Sequence, residues 1–291
     1  MTSNSGNRFK DWLQLSKLTI MLPVGLTGFT GYFIFKPHLS TELLLVSLGI
    51  FLMAVSASAL NQIQEVRLDS KMNRTHDRPI PAGRIRLTHA VIFSFFCLLS
   101  GILCIYKGGS LLSAFIGLFT MVWYNGVYTY FKRITAFAVV PGALTGALPP
   151  LIGWVAAGGG MWDKPIIFLE LLFFIGQIPH FWLLILKYGE EYGKAGIPTL
   201  TVIFNTAQIN RLTFTWVITS VIAAVFLCYL EVIRTGPLIL ILLIASAFLI
   251  WKFSALLRTG ADGKTFKKYS ILLDSYFLLV LVLLISDRLI I

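Results

Sequence analysis

Asn61, Glu65 and Asp69 follow one another at intervals of four residues. On a helix this spacing places side chains along one face, with a drift of about 40° per step. Two carboxylates and an amide oxygen on one stripe form the oxygen-rich surface that Mg²⁺ prefers, usually together with substrate phosphates and water. The pattern therefore predicts a magnesium site. The alternative interpretation is a solvated helix end whose acids pair with Arg67 and Lys71.

Basic residues lie directly behind these acids. Arg74 and Arg78 are four residues apart in the segment 71–84, and arginine suits bidentate contacts with phosphate. Prolines and a glycine interrupt any helix in this segment, and they predict a turn that folds the arginines back over the acids. Acids for a metal and arginines for its anionic ligand outline a diphosphate site. A purely structural loop is the alternative.

A second polar group lies more than a hundred residues further along the chain. His180, Lys187 and Glu191 are seven and four residues apart, which places them on one helical face. Glu190 and Glu191 would complete a second metal position, and Lys187 would neutralise phosphate. The alternative is an interfacial helix end with a snorkelling lysine. Between the two groups, the pair Lys132 and Arg133 is either part of the site or a simple marker of topology.

The elements that position these groups must be membrane helices. Hydrophobic residues make up 57% of the 291 and charged residues only 13%, whereas soluble domains carry roughly a quarter charged residues. The excess apolar surface must face lipid. The net charge of +11 is spread over short loops rather than one continuous stripe. This distribution argues against nucleic acid as a partner and favours anionic lipid head groups and an anionic substrate.

Apolar stretches long enough to span a bilayer, about 17–25 residues each, predict nine transmembrane helices in an all-α polytopic bundle. They lie at residues 18–35, 42–60, 90–106, 111–128, 138–157, 166–186, 212–230, 238–257 and 271–291. Residues 1–17 lack the pattern of a signal peptide and predict a short interfacial helix. We expect this N-terminal segment to precede one transmembrane domain, residues 18–291.

The basic residues also predict an orientation. Of the 24 Lys and Arg residues, 19 fall in the N-terminal segment or in alternate connections. By the positive-inside rule the N-terminus is cytoplasmic, and an odd number of spans places the C-terminus outside. We expect the protein in the cytoplasmic (inner) membrane. The long, charged connections after the second and sixth spans would then contribute to one site on the cytoplasmic side.

These motifs resemble a known family. The run 59–69, followed by Arg74-Thr75 and Arg78-Pro79-Ile-Pro81, resembles the first acidic motif of the UbiA-type membrane prenyltransferases. The stretches 128–135, 146–154 and 179–198 point the same way, and the last two are most similar to the heme branch of that family, the protoheme IX farnesyltransferases or heme O synthases. The resemblance covers roughly residues 15–290.

The resemblance implies a nine-helix, barrel-like bundle with a central cavity open laterally to lipid. It implies transfer of a farnesyl group from farnesyl diphosphate to a vinyl group of heme B, with addition of water, to give heme O. It assigns Mg²⁺ and diphosphate to Asn61, Glu65 and Asp69, phosphate oxygens to Arg74, Arg78, Lys132, Arg133 and Lys187, and the second acidic motif to Glu191 with help from Glu190. The expected catalytic residues are Asn61, Glu65, Asp69, Lys187 and Glu191, and we expect His180 and Tyr192 to contact heme or another substrate.

The sequence departs from the family pattern in one loop. Glu191 stands where the family commonly has Asp, Tyr188 where it often has Arg, and Thr199-Leu-Thr201 where it tends to have Met-Leu-Pro. These differences leave prenyl transfer intact and open the question of the acceptor.

Other functions are compatible with the same residues. The alternative acceptor is the aromatic ring of a quinone precursor. Alternatives of another class are a membrane transporter, which would need a polar path that the spans do not show, and a heme-binding assembly protein. Partners in the heme pathway or in oxidase assembly are a further expectation. Alanine at Asp69 would abolish turnover by an enzyme and leave a pure heme binder unaffected.

Overall fold

Helices are the only regular secondary structure of the described chain. The computed structural model describes residues 5–258 and 263–290, and the side chains of residues 8–258 and 266–290. No strand occurs among the described residues, which confirms the all-α prediction. The α-helices are α1 Ser5–Ser16, α2 Leu18–Phe35, α3 Thr41–Gln64, α4 Val66–Asp69, α5 Leu87–Gly108, α6 Leu111–Val122, α7 Thr129–Phe131, α8 Val139–Ala156, α9 Lys164–Lys194, α10 Leu200–Ile203, α11 Thr206–Tyr229, α12 Gly236–Ser254 and α13 Gly263–Ile290. A π-helical segment, Trp123–Tyr128, joins α6 to α7, and a 3₁₀ turn, Ala255–Leu257, follows α12.

Nine segments of the described chain are long and apolar enough to cross a membrane. They are Leu18–Phe35, Thr41–Gln64, Leu87–Gly108, Leu111–Phe131, Val139–Ala156, Lys164–Lys194, Thr206–Tyr229, Gly236–Leu257 and Phe266–Ile290. The prediction of an integral membrane protein with nine spans is therefore confirmed. The last residue of the ninth predicted span, residue 291, and the side chain of Lys264, counted above as basic, lie outside the described residues.

Among the C-terminal ends of the spans, that of the sixth differs most from its predicted boundary. The sequence predicts that this span ends at residue 186, but α9 continues to Lys194. Its last two turns lack the apolar composition of a span but remain helical. The second polar motif is therefore held on a rigid helix rather than on a loop.

Small residues let the spans approach closely. A Cβ added to Gly153 in α8 would overlap the carbonyl oxygen of Gly28 in α2, and one added to Gly49 in α3 would lie 2.7 Å from the carbonyl oxygen of Gly101 in α5. Glycine at such crossings brings backbones into contact in the absence of a hydrophobic driving force between helices. The small residues of the fifth span therefore allow close packing. The bundle closes where α13 contacts both α9 and α2.

The N-terminal segment forms a helix that is fixed to the bundle. Leu15 of α1 is fully buried, and its carbonyl oxygen accepts a hydrogen bond of 2.8 Å from Gln62 Nε2. Arg84 Nε donates a hydrogen bond of 2.8 Å to Asp11 Oδ1. These contacts place the end of α1 beside the polar segment that follows α3.

The two long polar connections meet on one side of the bundle. Met72, from the segment after α3, packs with Ala195 and Ile197, from the segment after α9, against Leu68 and Tyr192. These residues lie next to the two acidic motifs in sequence. The two connections are therefore in contact, and their contribution to one site on the cytoplasmic side remains a prediction.

Candidate active site

The first acidic motif lies at a break between two helices. The sequence predicts one continuous helical face, but α3 ends at Gln64 and Glu65 has φ −109° and ψ 9°. The backbone still donates from Glu65 N to Asn61 O at 3.0 Å and from Asp69 N to Glu65 O at 2.8 Å. The three side chains therefore keep one direction, with exposures of 3% for Asn61, 6% for Glu65 and 1% for Asp69. A solvated helix end is excluded.

Both acids of this motif form buried ion pairs, one with a residue nine positions further along the chain and the other with a residue 67 positions further. Arg78 Nη1 lies 2.7 Å from Asp69 Oδ2 and donates to Oδ1 at 2.8 Å. Lys132 Nζ lies 2.6 Å from Glu65 Oε2. The turn that folds an arginine back over the acids is thus present, and the alternative pairing with Arg67 and Lys71 is wrong. The connection after the fourth span therefore reaches the acids of the first motif.

Several polar atoms around these pairs form no hydrogen bond with the described residues. Arg78 donates to Asp69 through Nη1 alone, and its Nε and Nη2 form no hydrogen bond within the described chain. Glu65 Oε1 is buried and has no hydrogen-bond partner there. Asn61 Nδ2 donates to Thr129 Oγ1 at 3.1 Å, which leaves the amide oxygen free. These atoms are the donors and acceptors still open to a ligand.

Aromatic rings form the wall below Lys132. Burial lowers the pKa of the Lys132 amine, and the Glu65 carboxylate opposes that shift. The amine lies 5.5 Å from the ring centroid of Tyr128, which stacks on Tyr124 with a centroid separation of 5.5 Å. Both tyrosines belong to the π-helical segment, a feature frequent at functional sites. Arg133, next to Lys132 in the sequence, donates from Nη2 to the Gln64 carbonyl oxygen at 3.0 Å, and this hydrogen bond holds the end of α3.

The second polar motif contacts the first through Arg74. The Arg74 backbone N–H donates to Glu191 Oε2 at 3.2 Å, and its Nη2 donates to the Tyr192 hydroxyl at 3.0 Å. Its guanidinium also lies 5.1 Å from the ring centroid of Tyr188. Arg74 therefore joins the two connections and does not cover Asp69 as Arg78 does.

Lys187 and Glu190 are the remaining candidate site residues of the second motif. Lys187 Nζ lies 4.5 Å from the ring centroid of Tyr188 and has no carboxylate within 4.0 Å among the described residues. Glu190 is exposed. Across the described chain, no three His, Cys, Asp or Glu side chains are grouped closely enough to hold a metal ion. Neither Glu190 nor Glu191 is therefore grouped with both Glu65 and Asp69. The assignment of Asn61, Glu65, Asp69, Glu190 and Glu191 to metal remains a prediction.

Lys17 is a member of this region that the sequence interpretation missed. It lies between α1 and α2 with φ 46° and ψ 47°, a left-handed conformation that is uncommon for a residue other than glycine. Burial lowers the pKa of its amine to about 7; Arg78 and Lys132 act in the same direction, and Asp69 and Glu65 oppose them. Lys17 has no carboxylate within 4.0 Å among the described residues. The available signal was its position at the junction of a polar helix with the first span.

His180 lies deeper in the bundle, on the same helix as the second motif. Its Nδ1 is 2.8 Å from Oδ1 of Asp274, a residue of α13 that the sequence interpretation did not select. Its neighbour Phe181 lies 6.3 Å from Tyr128, measured between ring centroids. His180 is therefore close to the aromatic wall rather than to the ion pairs.

Known proteins share this arrangement of sequence and fold. The model of the UbiA prenyltransferase family matches residues 24–281. The chain belongs to this family. It is 35% identical to the protoheme IX farnesyltransferase of Ectopseudomonas mendocina (strain ymp), over 96% of this chain and 94% of that protein.

Solved structures share the fold of this UbiA prenyltransferase. A structure of digeranylgeranylglyceryl phosphate synthase superposes with a TM-score of 0.78 at 19% identity, covering 98% of this chain and 100% of that chain. A UbiA homolog from Archaeoglobus fulgidus, bound to DMAPP and Mg²⁺, superposes with a TM-score of 0.70 at 15% identity, covering 94% of this chain and 99% of that chain. The nine-span bundle is thus the fold of the family.

Proposed function

We propose that this chain transfers a farnesyl group from farnesyl diphosphate to a vinyl group of heme B, with addition of water, to give heme O. The observation that carries the proposal is the buried pair of ion pairs, Asp69 with Arg78 and Glu65 with Lys132, at the polar end of an apolar bundle. Membership of the prenyltransferase family and the name of the relative from Ectopseudomonas mendocina support the choice of substrates.

The donor set at this end fits a hard divalent cation. The Glu65 Oε1 and Asn61 amide oxygens have no hydrogen-bond partner in the described chain and lie on successive turns, beside the Asp69 carboxylate. Mg²⁺ is usually bound by one or two carboxylates together with substrate phosphates. The Mg²⁺ in the Archaeoglobus fulgidus homolog supports the same choice. When bound, Mg²⁺ supplies positive charge that stabilises the departing diphosphate.

The basic residues then have two partners available. Without substrate, Arg78 and Lys132 neutralise the acids. With a metal held by the acids, the cationic groups of Arg78 and Lys132 would be available to phosphate oxygens. Arg78 can do both at once because its Nη2 and Nε are not engaged by Asp69. Lys17 and Lys187 have no carboxylate partner within the described chain, and they add positive charge for the diphosphate.

Three predicted residues hold the site together. Arg74 and Glu191 fix the two polar connections against each other, and Arg133 fixes the end of α3. We infer that these contacts set the distance between the two polar connections when diphosphate is bound. Tyr192 shares in this contact through its hydroxyl.

The chemistry follows from this charge distribution. The bond between the allylic carbon and the diphosphate oxygen breaks, and its electron pair leaves with the diphosphate. The π electrons of the vinyl group form the new carbon–carbon bond to the allylic carbon. The cation then left on the vinyl carbon next to the porphyrin is captured by water, which loses a proton. The faces of Tyr124 and Tyr128 stabilise an allylic cation through their π-electrons and exclude water until the bond has formed.

We further propose that the polar end faces the cytoplasm and that residues 18–291 act as one catalytic domain in the cytoplasmic membrane. The clustering of basic residues on the side of α1 supports this orientation. Reporter fusions after Gly83 and after Gly236 should report opposite sides of the membrane. The same side for both would contradict the topology.

Mass spectrometry of heme tests the reaction. Purified protein is incubated with heme B, farnesyl diphosphate and Mg²⁺, beside a metal-depleted sample and the Asp69→Ala variant. Asp77→Asn is the matched control, because the Asp77 side chain is 83% exposed in the same segment. We expect a heme heavier by a hydroxylated farnesyl group from the wild type and from Asp77→Asn only. Diphosphate binding without a new heme species would reject heme as the acceptor, and quinone precursors would then be tested.

A further inference from the structure

His180 and Asp274 form a polar pair between the sixth and ninth spans. The two side chains are 29% and 56% exposed, with Nδ1 and Oδ1 2.8 Å apart. One turn away on the same two helices, the ring of Phe277 covers Gly176 so closely that a Cβ there would overlap it. Ionisable side chains within spans are costly and usually functional. Neither His180 nor Asp274 takes part in the ion pairs of Asp69 and Glu65.

The two ring nitrogens of His180 are in different surroundings. Nδ1 is buried and has no aligned hydrogen-bond partner in the described chain, although the Asp274 carboxylate is within reach and exposed enough to rotate into line. Nε2 is accessible and forms no hydrogen bond to a described residue. A carboxylate next to one nitrogen, with the other nitrogen open, is the arrangement that metal-binding histidines usually have.

The depth of His180 matches the position of iron rather than of phosphate. Lys187 is seven residues further along α9, which is about 10 Å along the helix axis. Phe181 contacts Tyr128, whose ring lies below Lys132, so the imidazole and the phosphate-binding cations share one wall. The reactive carbon of a prenyl diphosphate adjoins the phosphate, and the vinyl group lies on the edge of the porphyrin. The iron of a correctly placed heme is therefore deeper than the diphosphate.

We propose that His180 Nε2 binds the iron of the heme substrate as an axial ligand, and that Asp274 is a positioning residue that orients the imidazole through Nδ1. The identity of the acceptor in this inference rests on the proposed function. Iron ligation fixes the centre of the porphyrin, so that rotation about the iron–nitrogen bond is the main freedom left to bring a vinyl group to the allylic carbon. Asp274 raises the donor strength of the imidazole and restricts its rotation.

Heme binding without farnesyl diphosphate tests the ligation separately from catalysis. The full chain in lipid nanodiscs is titrated with heme B, and the ferrous complex is examined by resonance Raman spectroscopy. We expect an iron–histidine stretching band in the wild type. His180→Gly should lose the band, bind heme about 10–100-fold more weakly, and regain binding with added imidazole. His38→Ala, which removes an exposed histidine, should behave as the wild type.

Asp274→Asn tests the positioning role. We expect the variant to keep the iron–histidine band at a lower frequency, because an amide is a weaker acceptor than a carboxylate, and to bind heme about tenfold more weakly. A purely structural residue would leave the frequency unchanged.

The two proposals fail in different ways. A wild type without the band, the band still present in His180→Gly, or an unchanged frequency in Asp274→Asn overturns the inference. Heme O made by a wild type that lacks the band overturns ligation alone. Binding that depends on His180, with no prenylated product, overturns the proposed reaction and leaves the ligation standing.

Discussion

Lys132 Nζ lies 2.6 Å from Glu65 Oε2, while Glu65 Oε1 is buried without a hydrogen-bond partner in the described chain. The Glu65 carboxylate therefore has one oxygen paired with a cation and one oxygen without a partner. Leaving a buried polar atom unpaired costs about 1–3 kcal/mol. A ligand that contacts Glu65 Oε1 explains why this oxygen is buried without a partner at the polar end of a prenyltransferase. In the proposed function, that ligand is a metal bound together with diphosphate.

We expect Glu65→Gln to reduce prenyl transfer by at least about 100-fold, because a stabiliser of transition-state charge is lost. Lys132→Met should instead lower the free energy of unfolding by about 3 kcal/mol, since it leaves a buried carboxylate without its partner. The double variant should regain that stability and remain inactive. Thermal unfolding in detergent and product formation measure the two effects.

This pair of measurements separates charge pairing from catalysis. If Glu65→Gln retained wild-type turnover, the open oxygen would have no role in metal binding. If the double variant were as unstable as Lys132→Met, the ion pair would not explain the loss of stability.

Arg78→Lys should preserve the fold and weaken substrate binding. Lysine can still neutralise Asp69, which Arg78 contacts through a single nitrogen, so the free energy of unfolding should change by less than about 1 kcal/mol. It offers no second nitrogen to phosphate, so the KM for the prenyl diphosphate should rise about tenfold or more.

The matched control is Arg67→Lys, a change at an exposed arginine of α4. We expect its steady-state kinetics to equal those of the wild type. An Arg78→Lys variant with an unchanged KM would show that the free guanidinium nitrogens do not contact phosphate.

The sequence predicted the spans well because a bilayer imposes a strong, local requirement on length and apolarity. It also predicted that Arg74 and Arg78 would fold back over the acids, because proline and glycine leave the segment after α4 few other conformations. Arg78 does so, whereas Arg74 contacts the second polar motif instead. The predicted ends of the spans were less accurate where polar residues follow the apolar stretch, because α9 continues as a helix to Lys194. Composition alone does not show how far a helix continues beyond its apolar stretch.

Pairings between distant segments could not be read from the sequence. The contact of Lys132 with Glu65 spans 67 residues, and that of His180 with Asp274 joins two spans whose packing depends on the whole bundle. Lys17 was not selected because a lysine beside a span satisfies the positive-inside rule in any membrane protein. Periodicity is a property of one segment, whereas these contacts are set by tertiary packing.

The crossing of α2 and α8 should not tolerate a side chain. In Gly153→Ala the new Cβ would overlap the backbone oxygen of Gly28, so we expect the free energy of unfolding to fall by about 1–3 kcal/mol. Gly193→Ala is the control, because nothing lies within 4 Å of a Cβ at that helical position, and its stability should be unchanged or slightly higher. Equal unfolding temperatures for the two variants would contradict the close crossing.

Lys17 should make diphosphate binding depend on pH. Its amine, with a pKa of about 7, is protonated below that pH and neutral above it, and only the protonated form attracts phosphate. The affinity for a non-hydrolysable prenyl diphosphate should therefore be highest below the pKa and fall about tenfold between about pH 6 and about pH 8. Calorimetry should also detect proton uptake on binding above pH 7.

Arginine at this position remains charged throughout that range, because its pKa exceeds 12 in proteins. Lys17→Arg should therefore bind with little pH dependence beyond that of the diphosphate itself, and Lys17→Ala should bind weakly at every pH. The difference between wild type and Lys17→Arg isolates the lysine, since the ligand ionises identically in both. A wild type whose pH profile matched that of Lys17→Arg would place the Lys17 amine outside the diphosphate site and leave its left-handed backbone as a feature of the turn between α1 and α2.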